Sequence, residues 1–280
     1  HRPFTAITRV RFPYGSPAQK PSLGLQGWFS FVIFGKIVLP LQEEELYLII
    51  SKRLTAIAEL VPYGARLADI GTDHGYLPAY LIQSGAIQSA IAGEVNSGPY
   101  RSACAMMERL GLADAVSVRF GDGLTVLSPG EADTIVIAGV GGTTIVDILS
   151  ACPAVMESVS HLILQPMVGG AIVRRWLAEN GWCLDKETLV EEDGKYYEII
   201  AAKRGAPEPM TEIMAEVGPV LWENKDPLLC HHLQQLIRQK RHVLSEMSLS
   251  PQALKSEKYR EYEAKVQQLE DMVWQLTHNG

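Results

Sequence analysis

The chain has 280 residues, of which 47% are hydrophobic and 20% charged, enough to bury a sizeable core. A formal net charge of -7 excludes a globally basic protein, so any nucleic-acid contact must use local patches. The four cysteines, Cys104, Cys152, Cys183 and Cys230, form no Cys-x-x-Cys pair, which argues against a zinc site and for free thiols in a cytoplasmic protein.

In chain order, residues 1–42 come first, with five Lys and Arg and no Asp or Glu, and they end in the apolar run "GWFSFVIFGKIVLPL". Lys36 interrupts that run, which is too short to span a bilayer. Residues 1–45 are therefore read as a leader or extension outside the fold. From Glu43 the spacing of Leu46, Ile50, Leu54, Ile57 and Leu60 predicts a helix that stops at Pro62 and Gly64. Strands and helices then alternate. "RLADI", "SAIAGEV", "AVSVRF", "DTIVIAG" and "HLILQPM" read as strands. "YLPAYLIQSG", "GPYRSACAMMERLGL", "TTIVDILSAC" and "GAIVRRWLAENG" read as helices between or after them. Two further strands flank the Asp193-Gly194 turn as a hairpin.

Short apolar strands separated by amphipathic helices predict an α/β fold, a mostly parallel, doubly wound, Rossmann-like sheet with a hairpin added at its end. That domain is placed at 46–205. Beyond the turn-rich "GAPEP", heptad-like spacing (Leu229, Leu233, Leu236, Lys240, Val243, Met247; then Tyr259, Tyr262, Val266, Leu269, Val273, Leu276) predicts an antiparallel coiled-coil hairpin within 206–280.

In such a sheet, ligands bind beyond the carboxyl ends of the strands, where the strand order switches. The first strand end presents Asp69, Gly71, Thr72, Asp73, His74, Gly75 and Tyr76, and the second presents Glu94. The third presents Asp122 and Gly123, the fourth Ala138, Gly139, Gly141 and Gly142, and the fifth Gln165-Pro166-Met167. Each has a plainer reading. The glycines can simply make turns, Asp69 can brace one, Asp122 can start one, and His74 can be structural. Their occurrence at consecutive strand ends favours a site. Glu94, about twenty residues after the first loop, suits a pair of ribose hydroxyls, and Asp122 suits an adenine edge. The first loop lacks the third glycine of a dinucleotide fingerprint, and Asp73 would face a pyrophosphate. A cofactor with a cationic tail, S-adenosyl-L-methionine, fits these carboxylates better than NAD.

The motifs "SKRL", "DIGTDHGYLP", "GDGL", "IAGVGG", "LQPM" and "DGKYYEII" together resemble the bacterial tRNA (adenine-22-N1)-methyltransferase family, from about Leu48 to the C-terminus. The resemblance implies a class I methyltransferase domain that uses S-adenosylmethionine, with N1 of a D-loop adenosine of tRNA as target; no metal is expected, on the cysteine spacing. It departs from the family pattern at Glu94, where Asp is usual, and at Val140, where Met is common. Asp73 is expected nearest the reacting centre, with His74 and Tyr76 shaping the pocket. Asp69, Gly71, Thr72, Asp73, Gly75, Glu94, Asp122, Gly123, Ala138 and Gly139 are expected to hold the cofactor. Arg53, Gly141, Gly142, Arg174, Arg175, Arg238, Lys240 and Arg241 are expected to meet the tRNA. A monomer with no membrane contact and no obligate protein partner is expected. Two rival readings are a non-catalytic nucleoside- or RNA-binding protein and an NAD-dependent oxidoreductase.

Overall fold

The computed structural model describes residues 48–278. The expected leader, and the part of the first expected helix before Leu48, lie outside them. Helix α1 (Lys52–Leu60) starts later than its apolar spacing suggests. Ser51 caps it, its hydroxyl accepting from the Leu54 N–H at 3.3 Å, so residues 48–50 remain irregular.

The alternation then runs as expected: β1 (Leu67–Ile70), α2 (Tyr76–Gln83), β2 (Ala90–Glu94), α3 (Ser97–Arg109), β3 (Val116–Phe120), β4 (Thr134–Val140) and α4 (Gly142–Ala151). After a single turn, α5 (Pro153–Met156), come β5 (His161–Pro166), α6 (Gly170–Glu179), β6 (Trp182–Glu192) and β7 (Lys195–Arg204). The seven strands form one sheet in the order β3-β2-β1-β4-β5-β7-β6. β1 to β5 are parallel, while β7 pairs antiparallel with both β5 and β6.

Strand periodicity divides the core into two layers. Ile135 and Ile137 of β4, with Leu162 and Leu164 of β5, face Ile145 and Leu149 of α4 and Val173 and Leu177 of α6. Val136 and Ile163, between them in sequence, point to the other face, toward Ile57 of α1 and Leu77 and Leu81 of α2. Each such wholly buried side chain contributes about 1.5–3 kcal/mol of transfer free energy. Coverage of both faces explains why these strands read as unbroken apolar runs.

Beyond β7 come α7 (Glu212–Val217), α8 (Pro219–Glu223), α9 (Leu229–Ser248) and α10 (Glu257–His278). The expected seam residues Leu229, Leu233, Val266 and Leu269 are buried, and they share one cluster with Val217, Leu221 and, from β6, Leu189. The helical region is thus anchored on the sheet. A polar cluster fastens the junction. Arg174 of α6 is wholly buried, and its guanidinium donates to Glu187 of β6 at 2.5 Å, Glu198 of β7 at 2.6 Å and the Ala215 carbonyl of α7 at 2.9 Å. His232 of α9 lies 3.7 Å from Glu198, and neither ring nitrogen has a hydrogen-bond partner among the described residues. Burial holds its pKa below the usual histidine value, and the Arg174 charge adds to that, against the pull of Glu198 and Asp226.

Candidate functional site

The chain leaves β1 to build β2 and β3 on one side, then returns to place β4 on the other. At that switch point a cleft of about 480 Å³ opens beyond the strand ends, a size that suits a small-molecule ligand. Asp69, Gly71, Thr72, Asp73, Glu94, Asp122, Gly123, Ala138 and Gly139 all line it, together with Arg53, Tyr76 and Val140. Gly75, His74, Gly141 and Gly142 do not line it.

The β1–α2 loop is fixed by its backbone. The Gly71 and Thr72 N–H groups donate to the Gly93 carbonyl at 2.9 and 3.1 Å. Gly71 and Gly75 have φ of +76° and +73°. A side chain at Gly71 would meet open space, so its glycine serves backbone conformation alone, whereas a Cβ at Gly75 would lie 2.8 Å from Met107 of α3. Asp73 takes the left-handed conformation at φ +56°, which Asp tolerates better than most residues. Its carboxylate is 68% exposed at the lip, 3.6 Å from His74 Nε2. The His74 ring lies 5.6 Å from that of Tyr76, so it reaches the cleft only through its neighbours.

Two of the carboxylates are buried. Asp69 accepts the Thr72 hydroxyl at 2.6 Å. Burial pushes its pKa up to about 6, the Thr72 bond opposes that rise, and the Glu94 charge adds to it. Glu94 accepts the Asn96 backbone and side-chain N–H groups at 2.7 and 3.1 Å on one oxygen, and the Asp73 N–H at 3.3 Å on the other. No Lys, Arg or His pairs with Asp69 or Glu94 among the described residues. Through the Asp73 N–H, the Glu94 carboxylate reaches the first loop.

On the opposite wall, Gly123 (φ +51°) packs against Ile148 and Gly139 (φ +81°) lies beside the Arg53 guanidinium. Arg53 is held by Gln165, a buried residue at the end of β5 that was noted in sequence but given no role. Asn96, Val95 and Ile148 also line the cleft without having been singled out. Val95 and Asn96 follow the end of β2, a position that apolar and amide residues share with ordinary turns, and Ile148 reads as one apolar residue of α4.

Four of the expected tRNA contacts have roles inside the fold. Gly142 does not open space for a base: a Cβ there would lie 2.3 Å from the Gly169 carbonyl, so its smallness admits the β5–α6 loop. Gly141 caps α4 beside it. Arg174 offers nothing to solvent, because the junction consumes its guanidinium. Lys240 is 13% exposed and turned onto Glu216 at 3.0 Å. Arg175 is half-buried and paired with Glu212, Arg241 is exposed and paired with Glu270, and Arg238 is exposed.

Residues 50–200 match the family model of a methyltransferase domain. The tRNA (adenine(22)-N(1))-methyltransferase of Bacillus subtilis (strain 168) is 39% identical over 204 residues, spanning 71% of this chain and 86% of that one. The crystal structure of a putative tRNA (m1A22) methyltransferase from Streptococcus pneumoniae, in complex with S-adenosyl-L-methionine, matches with a TM-score of 0.72 at 34% identity. It covers 80% of this chain and 100% of that chain. TrmK of M. capricolum, in complex with S-adenosyl-homocysteine, matches with a TM-score of 0.69 at 25% identity, over 80% of this chain and 97% of that one. On that extent of likeness, the chain belongs to the tRNA (adenine(22)-N(1))-methyltransferase family.

Proposed function

We propose that this chain methylates N1 of adenosine 22 of tRNA, using S-adenosylmethionine. The observation that carries the reading is the cleft's run of carboxylates, Asp69, Asp73, Glu94 and Asp122, two of them buried without a cation of the protein's own. Such a cleft fits a ligand that brings positive charge. When bound, S-adenosylmethionine supplies an electrophilic methyl group on a sulfonium.

Asp69 and Asp73 would hold the cofactor's cationic amino-acid head. Glu94 has lone pairs left for the ribose hydroxyls, and Asp122 meets the adenine edge. Adenine N1 attacks with its own lone pair, so no residue has to remove a proton first. The work of the chain is alignment and charge stabilisation. The carboxylate of Asp73, at the lip, would stabilise the positive charge carried by the bound cofactor and the methylated ring. Tyr76 lines the mouth where the target base enters, and His74 steadies the Tyr76 ring. Because N1 lies on a pairing edge, the adenosine has to leave its stack to arrive there. Arg175, Arg238 and Arg241 remain available for the tRNA backbone. The setting of this reaction is the cytoplasm, and no helix of the described residues is long and apolar enough to cross a membrane.

The test is methylation of a tRNA mixture with labelled cofactor, followed by nucleoside analysis. Label should appear as 1-methyladenosine and disappear from a transcript carrying guanosine at position 22. Another methylated base, or no transfer, would overturn the reading.

A further inference from the structure

The loop between β5 and α6 turns apolar side chains to solvent beside the cleft, and the reaction described above does not use them. Met167, Val168 and Ile172 are exposed by 45%, 71% and 38%. Single exposed apolar residues are ordinary on a protein surface, whereas several on one short loop mark an interaction surface. No residue from Pro166 to Ile172 carries a charge, so the loop has nothing to offer a phosphate.

The loop borders the mouth of the cleft. The Met167 N–H donates at 2.8 Å to the carbonyl of Val140, which lines the cleft. The Met167 sulfur accepts from Gln165 Nε2 at 3.8 Å, and the same Gln165 holds Arg53 on the cleft wall. The backbone beneath these side chains is tied down. The Val168 carbonyl accepts the Gly142 N–H at 2.8 Å, and the Gly169 carbonyl fills the space that a Cβ at Gly142 would need. A Cβ at Gly170 would lie 2.7 Å from the Glu198 carboxylate of β7, so the start of α6 is pressed onto the sheet as well. Apolar tips on so fixed a base lose little entropy when they enter a partner.

The chemistry of the target names that partner. Adenine N1 is reached only after the nucleotide leaves its stack, and the bases on either side then close the gap unless something fills it. An uncharged apolar prong beside the pocket mouth suits the faces of those bases and not the backbone.

We propose that Met167 and Val168 enter the tRNA stack where the target adenosine has left it and keep the gap open while N1 is methylated. Both are positioning residues. The inference rests on the tRNA reading above and goes beyond it by naming the surface that meets bases.

The test uses the full chain with S-adenosylhomocysteine and a tRNA transcript carrying 2-aminopurine at position 22, whose fluorescence rises on unstacking. Wild type should produce that rise. The double variant Met167→Ser, Val168→Ser should bind S-adenosylhomocysteine as wild type does and the transcript within about threefold, yet give little of the rise. On the unmodified transcript its kcat should fall about tenfold or more, with KM little changed. The loss should shrink to about twofold on a transcript with an abasic site opposite adenosine 22, where less stacking and pairing has to be broken. Met167→Leu with Val168→Ile should restore both rise and rate. A serine variant with the full rise and wild-type kcat would overturn the proposal. So would an equal loss on the abasic transcript, which would mean a deformed cleft, or a raised KM with the rise intact, which would mean a surface contact only. Val168→Ser alone repeats the comparison if the double variant loses its fold. A wild type that methylates neither transcript would bring down the tRNA reading itself, and the proposal with it.

Discussion

At the junction of sheet and helices, Glu187 and Glu198 share the guanidinium of Arg174, while at the mouth of the sheet Asp69 and Glu94 have only N–H groups and a hydroxyl. All four carboxylates are buried or nearly so. The difference lies in who supplies the cation. A buried carboxylate neutralised by the protein is part of its architecture. One that is solvated by neutral donors alone keeps a negative potential, at a cost to the empty fold, for a cation that the protein does not contain.

The contrast predicts opposite responses to removing a charge. The largest effect belongs to Arg174→Leu, which strands two buried carboxylates and should destabilise the fold by about 3–5 kcal/mol in urea denaturation. Affinity for S-adenosylhomocysteine in the molecules that remain folded should hardly move. A variant as stable as wild type would erase the distinction between the two regions.

Asp69→Asn should do the reverse. With its pKa at about 6, an ionised Asp69 costs the empty protein about 3 kcal/mol at pH 7, while an asparagine can still accept the Thr72 hydroxyl. The variant should melt higher than wild type without ligand and bind S-adenosylhomocysteine poorly. Because the folded pKa is raised, the protonated group's contribution is complete below about pH 4 and is lost as pH rises through about 6. The stability gap between the two proteins should therefore open across that window and stay level above it.

The smallest effect belongs to His232. Its pKa is lowered in the fold, so its contribution is present above the ordinary value of 6.5 and is lost as pH falls below it. Relative to His232→Leu, the wild type should lose stability between pH 7.5 and 5.5, by no more than about 1.4 kcal/mol per pH unit. Parallel curves for the two proteins would show that this imidazole is not buried neutral.

Strands β1, β2, β4 and β5 were legible because each is a short, mostly apolar run closed by a turn, and the two-faced burial of Ile135, Val136 and Ile137 explains why no alternation interrupts those runs. The cleft was legible in its acids, which recur at consecutive strand ends. Arg174 was not. In sequence it is half of an Arg-Arg pair on an amphipathic helix, and its partners stand 13 and 24 residues later on a hairpin whose docking no local pattern encodes. Gly142 misled for a related reason, since a glycine that admits a base and one that admits another loop look identical until Gly169 is in place. Gln165 was passed over because an amide at a strand end carries no charge to mark it, and its meaning comes from Arg53, 112 residues earlier.

The order β5-β7-β6 also bears on how the chain emerges from the ribosome. β6 is made before β7 but has no neighbour in the finished sheet except β7. Until Lys195–Arg204 has been synthesised, the outer edge of β5 stands open, a row of unpaired N–H and C=O groups flanked by Leu162, Ile163 and Leu164. The nascent protein thus passes through a stage with an apolar strand edge exposed, the feature that promotes association between chains. Closure of the tight Asp193-Gly194 turn ends that stage by delivering both remaining strands as a unit.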